Sequence, residues 1–126
     1  MKKLLAILLL ISFSFHSCDE RDEPETFEVT YEVLTSAGNW HGEYIDEKQE
    51  KICLCGLPLP SSGWTYSFSV KHTPYTLHLD ATTASSEAGE AGAPDVTTNI
   101  YVNGDLVATA TSNWAPGVAS ADYVIP

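Results

Sequence analysis

The chain has 126 residues, 44% of them apolar and 18% charged, a length that suits one domain. Its formal charge of −11 argues against nucleic acid as a partner, because phosphate binding needs a basic stripe. The same acidity argues against docking on anionic lipid headgroups, and nothing in the composition suggests a multi-domain enzyme.

Met1-Lys2-Lys3 is a short basic start, and Leu4 to Ile11 is an unbroken apolar run of eight residues that Phe13 and Phe15 extend. That is the length of a secretory apolar region, whereas a spanning helix needs roughly 18 apolar residues or more. Phe15-His16-Ser17-Cys18 then sets a cysteine where cleavage belongs. The segment is similar to a bacterial lipoprotein signal, in which the thiol is acylated and becomes the first mature residue. Ordinary cleavage near Ser17, leaving a free thiol, is the alternative. Residues 1–17 are therefore read as a signal peptide and Cys18 as a lipidation site, leaving 109 residues with four basic side chains against 17 acidic ones. Two or three acyl chains, at ~0.8 kcal/mol per buried methylene, would hold such a protein on a bilayer.

Residues 18–26 follow as an acidic tether, with Asp19, Glu20, Asp22, Glu23 and Glu25 and no apolar side chain to bury. It reads as a solvated, self-repelling linker. An acidic cluster beside a lipidated cysteine is also similar to the surface-export signal of Bacteroidetes lipoproteins, which implies an outer-membrane lipoprotein on the cell surface or on the periplasmic face.

Residues 27–126 alternate with the period of strands. Phe27, Val29, Tyr31 and Val33 share one face, with Glu28, Thr30 and Glu32 on the other. Weaker strands are expected over 42–45 and 50–54. Trp64, Tyr66, Phe68 and Val70 repeat the strong pattern, as do Tyr75, Leu77 and Leu79, and then Val96, Thr98, Ile100 and Val102. Asn103-Gly104 signals a tight hairpin, returning through Leu106 to Ser112. A bulge at Gly104 would shift the register by one, so the faces of Leu106 and Val107 stay open. A last strand covers 119–124. The stretch 85–94 has helix formers, but two glycines and a proline make it a loop. Seven or eight short strands with one apolar face each require an antiparallel two-layer β-sandwich. The first and last strands are its expected open edges, guarded at the first by Glu28 and Glu32.

Tyr31-Glu32-Val33, Trp64 after Pro60, the run from Ile100 to Val107, and Thr109-Ala110-Thr111-Ser112 together resemble a group of small secreted bacterial proteins related to the mycobacterial membrane protein small (MmpS) family. The resemblance spans roughly residues 27–126. It implies an Ig-like β-sandwich and, by analogy with the mycobacterial members, an accessory role to a lipid-exporting transporter. The chain departs from that family in having a lipid anchor in place of a membrane helix, in Cys53-Leu54-Cys55, and in a long acidic loop. The family brings no catalytic residues.

Candidate chemistry is sparse. Cys53 and Cys55 fall on one face of a strand. They are a disulfide, a thiol pair, a metal half-site or two small semi-buried hydrophobes, and their spacing is not that of the usual two-residue thiol motifs. His78 and Asp80 share a strand face, as do His41 and Glu43, but no spacing forces the two pairs to converge, and no metal or other cofactor is expected. Glu87, Glu90 and Asp95 lack the regular spacing of a calcium loop. Nucleophile elbow, phosphate-cradling loop and His-Glu-x-x-His are all missing from the sequence, and paired acids such as Asp46-Glu47 fall in a polar turn, so no enzyme is expected. Trp40 and Trp114 fall in turn-like settings, where exposed rings would contact a protein or glycan partner; otherwise they cap the ends of the sandwich. The reading is a non-enzymatic, lipid-anchored interaction module of the cell envelope. An accessory transporter subunit and a glycan-binding module are the alternatives.

Overall fold

The computed structural model describes residues 24–37, 39–56, 59, 60, 63–83, 95–113 and 117–126. The export segment, Cys18 and most of the tether, the 85–94 loop with Glu87 and Glu90, and Trp114 lie outside the described residues. Among the described residues, eight strands occur in chain order: β1 (Phe27–Thr35), β2 (Trp40–Ile45), β3 (Lys51–Leu54), β4 (Trp64–Val70), β5 (Tyr75–Thr83), β6 (Val96–Val102), β7 (Asp105–Ser112) and β8 (Val118–Ile125). They form two four-stranded sheets, ordered β4-β1-β6-β7 and β3-β2-β5-β8, with every neighbouring pair antiparallel. The fold is thus the β-sandwich that the alternation requires.

Period-two sidedness builds the core. Val29, Tyr31 and Val33 from β1 are fully buried against Leu77, Leu79 and Ala81 from β5, with Val96 and Ile100 from β6 beside them. β8 buries Ala119, Ala121 and Ile125, with the half-buried Tyr123 packed against the core between the last two. Each fully buried leucine contributes roughly 1.5–3 kcal/mol by leaving water. Aromatic rings run through this core in contact. Tyr31 meets Phe68 at 5.4 Å and Tyr44 at 5.8 Å, both edge-on, the geometry that ring quadrupoles favour.

Two tyrosines join the layers to one turn. The Tyr31 hydroxyl, on β1, donates to the Ile45 carbonyl at 2.9 Å, and the Tyr75 hydroxyl, on β5, donates to the Asp46 carbonyl. Asp46 closes that β2–β3 turn itself, because its Oδ1 accepts the Lys48 and Glu50 N–H groups at 2.9 Å each. Burial pushes the Tyr31 phenol above its ordinary range.

Several expectations need correction. β1 is not an edge but lies between β4 and β6, with seven register pairs on each side. Chain order misleads here because connections pass between the layers. The edges are β4 and β7 in one sheet and β3 and β8 in the other, so only the last strand is an edge as expected. Glu28 and Glu32 therefore guard nothing. Glu28 accepts from the Ser69 hydroxyl at 2.7 Å, and Glu32 accepts from Asn99 at 2.8 Å and Tyr101 at 2.9 Å.

Asn103 and Gly104 form the turn at φ 53° and 85°, the left-handed pair that a two-residue hairpin uses. The bulge falls on β7 rather than on Gly104. Ile100 pairs with Ala108 while Tyr101 pairs with Leu106, which leaves Val107 as the extra residue. Val107 packs toward the core and Leu106 faces outward. Asn103 also ties this tip to the start of β1, where its N–H donates to the Glu28 carbonyl at 2.7 Å and its Oδ1 accepts the Glu28 N–H at 2.9 Å.

Because successive strands run in opposite directions, their connections alternate between the two ends of the sandwich. Connections 46–50, 71–74 and 103–104 sit at the end where Phe27 enters, and 36–39, 55–63, 84–95 and 113–117 join strands at the other end.

Candidate functional site

The outer faces of the two sheets differ in chemistry. On the sheet containing β1, polar side chains satisfy one another. Thr30 and Ser67 are hydrogen-bonded at 2.9 Å, Thr97 and Thr111 at 2.9 Å, and Thr109 donates to Asn99 at 2.7 Å. On the other sheet the outward positions gather ionisable groups.

Register places them. Glu43 on β2 lies opposite Asp80 on β5 and opposite Cys53 on β3. His78, two residues before Asp80, shares its face and lies opposite Asp122 on β8. Gly42 lets β2 and β5 approach closely beside the cluster, since a Cβ there would stand 2.2 Å from the Asp80 carbonyl oxygen. The Glu43 N–H donates to Asp80 Oδ1 at 2.9 Å, which pins that carboxylate and turns Oδ2 toward His78, 3.6 Å from Nε2. Glu43 Oε1 stands 4.0 Å from the same nitrogen. His78 Nδ1 lies 2.6 Å from Asp122 Oδ1. Lys51, the outward residue of β3 beside Cys53, places Nζ against Glu43 Oε1, and that hydrogen bond pushes the lysine's pKa up. The site is half-open: the side chains of His78, Asp80 and Glu43 are 19%, 23% and 32% exposed.

Of the residues singled out by sequence pattern, the fold brings Glu43, His78 and Asp80 together. It leaves out His41, which lies opposite Thr82. Asp122 and Lys51 were not foreseen. Each reaches the cluster only through strand pairing, and neither carries a local signal in the sequence.

Cys53 and Cys55 are bonded as a disulfide. Their Cα atoms are 5.2 Å apart, closer than the ~6.5–7 Å of a straight strand, because β3 ends at Leu54 and the chain turns there. Both are exposed rather than semi-buried.

Trp40 is not in a turn. It opens β2 and is buried at 6% exposure, its Nε1 donating to the Pro60 carbonyl at 3.2 Å. Its ring is thus a cap on the core, not a stacking platform for a sugar. Trp64 is half-buried, in stacked contact with Tyr66 at 6.0 Å. It lines a shallow groove with Glu32, Leu34, Pro60 and Thr65. Comparison with family models and with characterised proteins finds no match to this chain.

Proposed function

We propose that this chain is a non-enzymatic interaction module of the cell envelope, held on the outer membrane by acyl chains on Cys18. The observation that carries the reading is the order Lys2-Lys3, apolar Leu4 to Ile11, then Cys18, followed at once by the acids of the tether. An acylated cysteine supplies the attachment. The tether of residues 18–26 spans at most ~3.6 Å per residue, enough to keep a strongly acidic domain clear of anionic headgroups. A β-sandwich rigid enough to present a fixed surface suits such a module.

Fractionation and fatty-acid labelling of cells expressing the wild-type chain or Cys18→Ala test the proposal. The wild type should incorporate labelled fatty acid and sediment with membranes, and the variant should do neither. Membrane association that survives the substitution would remove the anchor. Crosslinking in intact cells then identifies the partner, and recovery of a membrane transport complex would replace the general reading with that of an accessory transporter subunit.

A further inference from the structure

We propose that Glu43, His78 and Asp80 bind a first-row divalent transition cation, with zinc the best match, on the outer face of the β3-β2-β5-β8 sheet. One ligand atom from each residue lies within 4.8 Å of the others. Zinc bonds of ~2.0–2.2 Å at tetrahedral angles spread their donors roughly 3.3 Å apart. The observed 3.6 Å and 4.0 Å from His78 Nε2 to Asp80 and Glu43 would shorten by about 0.3 Å and 0.7 Å to reach that spacing. Both distances are too long for a hydrogen bond. They suit a cation lying between the groups.

The orientation of His78 points the same way. Asp122 takes the Nδ1 side at 2.6 Å, so the ring donates there and turns the Nε2 lone pair toward Glu43 and Asp80. A carboxylate holding the far nitrogen of an imidazole is the usual support of a metal-bound histidine. Asp80 is likewise set in advance, with Oδ1 occupied by the Glu43 N–H and Oδ2 free. Three protein donors on a half-open face leave a fourth position for water.

The donor set selects the cation. An imidazole nitrogen with two carboxylates suits zinc and its neighbours, whereas calcium and magnesium take oxygen shells. Lys51 is the intrinsic competitor, because its ammonium neutralises Glu43 from the edge strand. Binding therefore requires Lys51 to yield Oε1 or to move to the other oxygen.

The test is titration of zinc chloride into the full chain, purified in mild detergent without thiol reductants and stripped with chelator, read by calorimetry and by competition with a fluorescent zinc indicator. One zinc should bind per chain. His78→Gln and Asp80→Asn should each lower the affinity at least tenfold, and Asp122→Asn should lower it about tenfold by freeing the ring. Lys51→Met should raise it severalfold, and His41→Gln should leave it unchanged. Imidazole NMR of the wild type gives a readout that needs no variant: zinc should shift the His78 resonances and leave those of His41 and His72 in place. Lack of saturable binding, unaltered affinity in His78→Gln, or a shift at His41 or His72 instead of His78 would each overturn the assignment.

Discussion

Removing one hydroxyl should show how far the β2–β3 turn depends on the opposite sheet. Tyr31 is fully buried, and its only polar atom donates to the Ile45 carbonyl at 2.9 Å. Tyr31→Phe keeps the ring and its edge-on contacts with Tyr44 and Phe68, so the change isolates one hydrogen bond. A neutral hydrogen bond contributes about 1 kcal/mol net, and more when the remaining partner is left buried without a donor. The expected loss is about 1–2 kcal/mol, and each kcal/mol lowers Tm by about 4–8 °C in a domain of this size. Tyr75→Phe removes the neighbouring bond, to Asp46, and should cost about as much. Since both hydroxyls hold one turn, the double variant should lose less than the two single losses combined, with a coupling of about 0.5 kcal/mol or more. Urea unfolding followed by tryptophan fluorescence measures all three, with m unchanged. A Tyr31→Phe protein within about 0.3 kcal/mol of wild type would refute the idea that the turn hangs from the far layer.

Two other outcomes follow from the same structure. Gly42→Ala sets a Cβ 2.2 Å from the Asp80 carbonyl oxygen, a clash with backbone that only separation of β2 from β5 relieves. A loss of about 3 kcal/mol or more is expected, and a thermal melt matching wild type would contradict the close approach. At alkaline pH, Tyr66 is pushed up to about 12, first by its hydrogen bond to Glu47 and then by burial, while the unfolded phenol ionises near 10. The folded state holds that proton more tightly, so this stabilisation is complete below pH ~10 and is lost as pH rises toward 12. Unfolding midpoints recorded alongside tyrosinate absorbance should stay level to pH ~10 and then fall; a level profile throughout would exclude the effect.

The sidedness of individual strands is legible because it is local. Tyr31, Leu77 and Ile100 declare their inward face through their immediate neighbours, and the Asn103-Gly104 turn declares itself by residue type. Partnership between strands is not local. Nothing near Tyr31 states that Ile100 will lie beside it on one side and Tyr66 on the other, which is why β1 reads as an edge in the sequence and is interior in the fold. The candidate site suffers the same blindness. The pairs Glu43–Asp80 and His78–Asp122 arise from β2–β5 and β5–β8 pairing, so the sequence offers the ligand types without the register that assembles them. Trp40 misleads for another reason: Asn39 and His41 look like turn residues, yet Trp40 lies on the side of β2 that faces the core.

The division of connections between the two ends gives the sandwich a fixed pole and a permissive pole. At the fixed pole, 46–50 and 103–104 join neighbours within a sheet, so their lengths dictate hairpin register. Every connection at the permissive pole instead steps from one sheet to the other. Lengthening such a crossing slips no ladder, and a doubling costs only about 0.6 kcal/mol of closure entropy. The N-terminal lead departs from the fixed pole. Changes in loop length can therefore accumulate at the end of the sandwich opposite Phe27, while the two paired sheets remain as they are.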